Sequence, residues 1–151
     1  MALMVVVCKR TRTSSSRLLV PVGDPRALDG LAPNPDTLVA LGRELGAEGF
    51  FVFSLSRGAG GLSTESRMFC PSLGIPEDPV SGNAHGMLGA YLARHGLLGP
   101  LAARMAFAGA QGHHVNRPGR VEIELEVDSS AVTGVWIIGQ ATAIFETQIS
   151  L

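Results

Sequence analysis

The stretch EDPVSGNAHGMLGAYLARHGLL, residues 77–98, constrains the fold more than any other part of the chain. Pro76 and Pro79 fix the backbone on either side of an acidic turn, and a run that is apolar on nearly every side follows. A surface helix has one apolar stripe, whereas a helix that is apolar all round is buried. The pattern therefore predicts a central helix, at about residues 83–98, enclosed by the rest of the chain.

Segments typical of strands surround this helix in the sequence. They are rich in β-branched and aromatic residues and are predicted at residues 2–8, 18–22, 50–54, 66–70, 104–108, 112–116, 120–127, 132–138 and 141–148. Asn34 as an N-cap, Pro35 at the first helical position and Gly46 beyond the last apolar residue predict one outer helix at about residues 35–45. The fold class is therefore α+β, with a barrel-like sheet wrapped round the central helix.

Composition excludes several classes of function. With 151 residues, 46% of them hydrophobic, the chain is long enough for one globular domain with its own core. A net charge of -1 argues against broad binding to nucleic acid, and no apolar run is long enough to cross a membrane. Cys8 and Cys70 are isolated, which favours reduced thiols and a cytoplasmic protein. We predict a strand and polar loop over residues 1–17 and a single domain over residues 18–151.

The turn before the central helix has the composition of an anion site. Ser81 or Asn83 is placed to cap the helix, and Gly82 lets a ligand approach the backbone closely. The first N–H groups of the helix, including that of Ala84, carry the positive end of the helix dipole and suit a carboxylate or a phosphate. The alternative is a well-capped core helix whose acidic residues only face solvent. The local sequence leaves both interpretations open.

A metal site is not expected. His113 and His114 are neighbours on a predicted strand, so their side chains point to opposite faces, and no acidic or cysteine partner is spaced to complete a ligand set.

Three motifs in order resemble the phenazine biosynthesis PhzF-like family. They are RMFCPSLGIPEDPVSGNAHGMLGAYL, then AGAQGHHVNRPGRVEIELEV, then VWIIGQATAIFE. The resemblance implies the diaminopimelate epimerase-like fold, in which two similar halves each wrap an antiparallel barrel round a central helix. The substrate cleft lies where the N-termini of the two central helices meet. By its motifs this chain resembles the C-terminal half of such a protein.

The resemblance also implies a function and a set of site residues. Family members are isomerases that shift a proton on a small carboxylate-bearing substrate and use neither metal nor organic cofactor. By position, Asp78 is the carboxylate facing the cleft, an auxiliary catalytic residue, and Gly82 and Asn83 bind the substrate carboxylate through backbone N–H groups. Ser81 stands where cysteine-dependent racemases of this fold carry a thiol, which disfavours a two-cysteine mechanism. His85 matches the motif histidine, and it either contacts substrate or is hydrogen-bonded inside the fold.

The chain departs from the family pattern in two ways. It has Asn83 where the family usually has serine, and it is about half as long as a family member. The catalytic glutamate of the family belongs to the other half, and no residue here obviously replaces it. Three hypotheses follow: an isomerase that is complete only with a missing N-terminal half, a non-catalytic module or pseudoenzyme that binds small acids, and a homodimer that mimics the two-domain fold.

Overall fold

The computed structural model describes residues 6–8, 16–100, 102–129, 131–140 and 147–148. Within them the helices are α1 (Arg26–Asp29), α2 (Pro35–Leu45) and α3 (Gly82–Arg94). The strands are β1 (Val6–Cys8), β2 (Arg17–Val22), β3 (Gly49–Gly58), β4 (Gly61–Cys70), β5 (Ile75–Asp78), β6 (Arg104–Gln111), β7 (Gly119–Asp128) and β8 (Ala131–Ile138). Short 3₁₀ turns occupy Pro71–Leu73 and His113–Val115.

The described strands form one mixed sheet. Their order is β1-β2-β3-β4-β6-β7-β8, and β5 pairs with β4 off this path. The pairs β2–β3 and β4–β6 are parallel, and the other pairs are antiparallel. The α+β class with a sheet curved round a central helix is confirmed, but the sheet is mixed and not antiparallel throughout. Parallel neighbours need a long crossover connection, and here α1 and α2 lie in the first and α3 in the second.

Helix α3 packs on the inner face of the sheet. The core there is built from large apolar side chains of five strands and the helix, among them Leu19, Phe51, Phe53, Met68, Leu88, Leu92, Phe107, Ile123 and Leu125. Burying each such side chain stabilises the fold by about 1.5–3 kcal/mol. Gly89 brings the helix close, since a Cβ at that position would lie 3.0 Å from Cγ2 of Ile123. The inner face of the sheet thus fixes the position of α3.

One side of α3 is not covered by the described residues. Asn83 and Arg94 are exposed, and Met87 and Ala90 between them are half-buried. These four residues recur at helical spacing and are called here the open stripe of α3. The prediction that this helix is buried on every side is therefore wrong for this stripe.

The outer face of the sheet carries the two shorter helices. Leu38 of α2 packs against Leu18 and Phe50, and Leu28 of α1 packs against Val52 and Phe69. The helix α1 is four residues long and was not expected from the turn-like sequence around it. Together α1 and α2 cover the outer side of β2, β3 and β4, which leaves the inner side for α3.

The boundaries of α2 are as predicted, whereas α3 ends early. The side chain of Asn34 accepts the N–H of Thr37 at 2.9 Å, and Gly46 closes α2 with φ 65°. The predicted α3 extended to residue 98, but it stops at Arg94 because Gly96 has φ 66° and the N–H of Leu97 reaches back to the carbonyl of Leu92. That bond pattern is the Schellman ending, and it turns the chain away from the helix axis.

Other differences concern strands. The predicted strand at residues 112–116 is wrong: a 3₁₀ turn stands there, flanked by Gly112 at φ 90° and Asn116 at φ 55°. The hairpin β3–β4 is longer at its tip than predicted, because it pairs as far as Gly58 and Gly61. Most of the predicted strand at 141–148 lies outside the described residues, and so do the side chains of residues 1–15. β1 pairs with β2, and the predicted division at residue 17 stays a prediction.

Across the described part of the chain, no helix has both the length and the apolar character needed to span a membrane.

Candidate active site at the amino end of helix α3

The turn that joins β5 to α3 carries Asp78 as the last residue of its strand. The Asp78 side chain is partly buried, and its carboxylate accepts two hydrogen bonds. One comes from the hydroxyl of Ser81 to Oδ2 at 2.5 Å, and the other from the N–H of Val80 to Oδ1 at 3.3 Å. An aspartate that bonds the backbone two residues ahead fixes its own turn. The carboxylate is thus held in one orientation beside the first turn of the helix.

The amino end of α3 has no side-chain cap. Ser81 occupies the N-cap position, but its hydroxyl donates to Asp78 and caps no N–H group, so the expectation that Ser81 or Asn83 caps the helix is wrong. The N–H groups of Gly82, Asn83 and Ala84 have no partner within the helix, as at every helix start. They add to the positive end of the helix dipole. A carboxylate is one ligand that would satisfy them.

Gln111, the last residue of β6, lies directly beneath this turn. It is 1% exposed, and its side-chain amide bonds the carbonyl of Asp78 and the N–H of Ser81. The sequence quoted above includes this glutamine in its second motif, yet nothing in the local pattern assigned it to the site. Its partners lie about 30 residues away along the chain, a separation that periodicity does not detect.

His85 lies one turn further along α3 and is completely buried. Its Nδ1 lies 3.0 Å from the carbonyl oxygen of Ser81, so Nδ1 carries the proton and donates it. Burial lowers the pKa of His85, and the bond to Ser81 opposes this only in part. Nε2 finds no partner among the described residues. His85 is therefore a neutral interior side chain that is hydrogen-bonded to Ser81.

The outer side of β5 is held by a largely buried ion pair. Arg67 of β4 donates to both carboxylate oxygens of Glu77, from Nε at 2.9 Å and from Nη2 at 2.7 Å. Its Nη1 donates to the carbonyls of Leu28 and Leu31, each at 2.8 Å, and its guanidinium lies over the ring of Phe69. From the sequence alone, Arg67 and Arg117 can pair with carboxylates, but an ordinary surface arginine is the favoured interpretation; for Arg67 that interpretation is wrong, since it pairs with Glu77. Its role follows from long-range pairing alone.

The structure brings four of the five predicted site residues together at one end of α3. Asp78, Ser81, Gly82 and Asn83 surround the start of the helix, with Gly82 half-buried and Asn83 exposed. His85 is separated from them by its burial. This arrangement offers one oriented carboxylate for proton transfer and one cluster of N–H groups for an anion.

The described residues contain no group of three or more His, Cys, Asp or Glu side chains that could hold a metal ion. His114 lies in the 3₁₀ turn and contacts Asp29 through Nε2 at 3.0 Å. Cys70 is buried in the core, and burial raises the pKa of its thiol.

A sheet curved round one central helix, with an aspartate at the uncapped amino end of that helix, defines one lobe of an epimerase-like fold. The chain belongs to the PhzC-PhzF family, described as phenazine biosynthesis-like protein, whose profile matches residues 3–147. The matched range begins before β1, so it also includes the N-terminal part of the chain, which the three motifs do not cover.

Individual relatives agree with this membership. An uncharacterized isomerase from Clostridium acetobutylicum is 34% identical over 139 residues, which are 92% of this chain and 46% of that protein. The trans-2,3-dihydro-3-hydroxyanthranilate isomerase of Pseudomonas aeruginosa is 34% identical over 86 residues, 57% of this chain and 30% of that protein. The crystal structure of a PhzF-family phenazine biosynthesis protein from Bacillus anthracis superposes with a TM-score of 0.66 at 19% identity, over 90% of this chain and 48% of that one. The chain thus spans about half the length of the first of these relatives.

Proposed function

We propose that this chain forms one lobe of an isomerase that moves a proton on a small carboxylate-bearing substrate, without a metal or an organic cofactor. The observation that carries the proposal is the position of the Asp78 carboxylate beside the uncapped start of α3. The N–H groups of Gly82 and Asn83 bind the substrate carboxylate, and Asp78 acts as an acid–base group on the adjacent carbon. Ser81 keeps the Asp78 carboxylate turned toward the substrate.

The relatives support this chemistry. Two of them are named isomerases, and one of these names includes a dihydro-hydroxyanthranilate, which is a small cyclic carboxylic acid. Proton transfer between two carbons of one molecule needs a base within hydrogen-bond reach and a way to hold the substrate in place. Asp78 and the first turn of α3 provide one of each.

We propose further that a second lobe completes the cleft. The open stripe of α3 begins at Asn83, so a body that covers Met87 and Ala90 would also wall the anion site. That body is either the other half of the family fold or a second copy of this chain related by a twofold axis. Light scattering at tens of micromolar distinguishes them, because a copy of the chain gives a dimer and a requirement for the other half gives a monomer. Met87→Arg, on the stripe, is expected to abolish a dimer, whereas Arg43→Glu on α2 serves as the control.

The experiment for the isomerase uses trans-2,3-dihydro-3-hydroxyanthranilate in deuterated water, with proton NMR to follow deuterium entering the substrate. The chain is assayed alone and with a relative's N-terminal half. Asp78→Asn is expected to lower exchange to a small residual rate, since an amide cannot accept the proton, and Asp36→Asn on exposed α2 is the control. Exchange that survives Asp78→Asn unchanged would assign the chemistry to another group.

A second candidate is a non-catalytic module that holds a small acid. One observation favours it: the N–H groups at the start of α3 all belong to this chain, so they can bind an acid without a second lobe. Calorimetry with a panel of small carboxylic acids tests it. Gly82→Val should weaken binding by adding bulk at the first helical residue, and Asp78→Asn should leave binding in place. Binding with no exchange in any mixture would favour this module over the isomerase.

A further inference from the structure

Gln111 makes an unusual set of contacts with the turn between β5 and α3. Its Oε1 accepts the N–H of Ser81 at 3.1 Å, and its Nε2 donates to the carbonyl of Asp78 at 2.5 Å. In an ordinary β-turn the carbonyl of the first residue would bond the N–H of the fourth, and here those two residues are Asp78 and Ser81. Each of the two groups bonds Gln111, so the glutamine amide takes the place of the closing bond. The turn is held open by a side chain from another strand.

The same amide sets the direction of the hydrogen bonds. A second contact of Nε2 reaches the hydroxyl oxygen of Ser81 at 3.4 Å, so that oxygen accepts from Gln111 while its own proton goes to Asp78. A flipped amide would place Nε2 against the N–H of Ser81, donor against donor, and Oε1 against the carbonyl of Asp78. Only the observed orientation satisfies all partners. The chain of donors therefore runs from Gln111 to Ser81 to Asp78.

Neighbouring glycines let β6 and β7 approach the turn closely. A Cβ on Gly112 would lie 2.6 Å from the carbonyl oxygen of Pro79, and a Cβ on Gly119 would overlap the side chain of Val80. Gln111 and its turn are thus packed as one unit, and the glutamine is 1% exposed. A buried amide with satisfied partners is rigid, because breaking any one bond leaves an unpaired polar group.

We propose that Gln111 is the positioning residue of this site, which orients the Asp78 carboxylate without touching substrate. This inference rests on the proposed isomerase function and adds a residue to it. Removing the amide lets the turn close on itself and moves the Asp78 carboxylate. A displacement of about 1 Å in an acid–base group costs about 100-fold in rate.

The test is Gln111→Met, which keeps the length of the side chain and removes its hydrogen bonds. In the exchange assay with trans-2,3-dihydro-3-hydroxyanthranilate, kcat is expected to fall about 100-fold while KM stays within about threefold, since the first-turn N–H groups remain in the helix. Gln140→Met, at an exposed glutamine, is the matched control and should change neither. Equal kcat in the two variants would overturn the proposal.

A double variant separates positioning from a general loss of structure. If Gln111 acts through Asp78, then adding Gln111→Met to Asp78→Asn should leave the residual rate unchanged, because the group being positioned is already gone. A rate that falls by the full single-variant factor would mean that Gln111 acts elsewhere and would overturn the proposal.

An NMR experiment without substrate tests this proposal separately from the isomerase function on which it rests. In labelled protein without substrate, Gln111→Met should shift the amide resonance of Ser81 and the carboxyl carbon of Asp78, and Gln140→Met should shift neither. If the wild-type chain shows no exchange in any mixture, the isomerase proposal fails, and these shifts still decide whether Gln111 orients Asp78. Unchanged resonances in a folded Gln111→Met protein would overturn that role.

Discussion

The two sides of β5 carry neighbouring carboxylates that have different hydrogen-bond partners. On the outer side, both oxygens of Glu77 are taken up by the guanidinium of Arg67. On the inner side, Asp78 accepts from a hydroxyl and a backbone N–H and stays partly open to solvent. Successive strand residues face opposite sides, so one residue of sequence separates the two environments. Glu77, whose two oxygens both bind the guanidinium, stabilises the fold, whereas we propose that the partly exposed Asp78 carries out acid–base chemistry.

A substitution on the outer side of β5 should lower the stability of the fold most. Arg67→Met leaves the largely buried Glu77 carboxylate without its partner, and we expect a loss of about 3 kcal/mol in the free energy of unfolding. Urea denaturation measures it. The control is Arg104→Met, whose ion pair with Glu126 is 3.5 Å long and whose side chain is 80% exposed, where a loss of about 0.5 kcal/mol or less is expected. Similar losses in both variants would mean that the outer pair has no special structural role.

On the inner side, the largest effect should come from packing near His85. Gly109→Ala adds a Cβ that would overlap the edge of the His85 imidazole, and overpacking of this kind costs about 1–3 kcal/mol. Gly30→Ala is the control, because a Cβ there meets nothing within 4 Å and its φ is -82°. Thermal or urea denaturation compares them. A Gly109→Ala protein as stable as the control would show that the imidazole can move aside.

The buried His85 should also make stability depend on pH. Burial lowers its pKa in the folded state, so below the ordinary histidine pKa of about 6.5 the unfolded chain binds a proton that the folded chain does not. Stability contributed in this way is constant above that pH and falls as pH decreases below it, by at most about 1.4 kcal/mol per pH unit. Denaturation at pH 7 and pH 5 measures the difference. His85→Gln should remove this part of the dependence and His95→Gln, at an exposed site, should not.

The smallest change in stability is expected for the carboxylate that we assign to catalysis. Asp78→Asn keeps an oxygen that can accept from Ser81, so the free energy of unfolding should change by about 1 kcal/mol or less. Glu77→Gln should cost clearly more in the same urea series, since it leaves the Arg67 charge without its partner. If the two substitutions cost the same, the contrast between the two sides of β5 does not hold.

The fold was predictable from the sequence where local signals decide it. Asn34, Pro35 and Gly46 mark both ends of α2, and the apolar run after residue 82 marks the central helix. The early end of α3 was missed because the apolar residues after Gly96 continue the pattern, while the left-handed backbone of Gly96 ends the helix. The strand predicted at residues 112–116 failed for the same reason, since two left-handed residues bracket it.

Part of the candidate site was predictable as well. Asp78 and Gly82 could be predicted from the turn composition and from the family motif, because both patterns lie within a few residues of the sequence. Gln111 and Arg67 were not predicted as site residues, since their partners come from other strands. A pattern confined to one segment carries no information about which distant carbonyl or carboxylate a side chain will meet.

The parallel pairing of β4 with β6 has a consequence for the order of folding. The hairpins β3–β4 and β6–β7 join neighbouring segments and can form within microseconds, whereas β4 and β6 are separated by β5 and all of α3. Gln111 reaches the turn at Asp78 only once that parallel register is in place. We therefore expect a refolding chain to acquire its sheet signal before the Ser81 amide becomes protected, so that the last barrier crossed is the one that assembles the site.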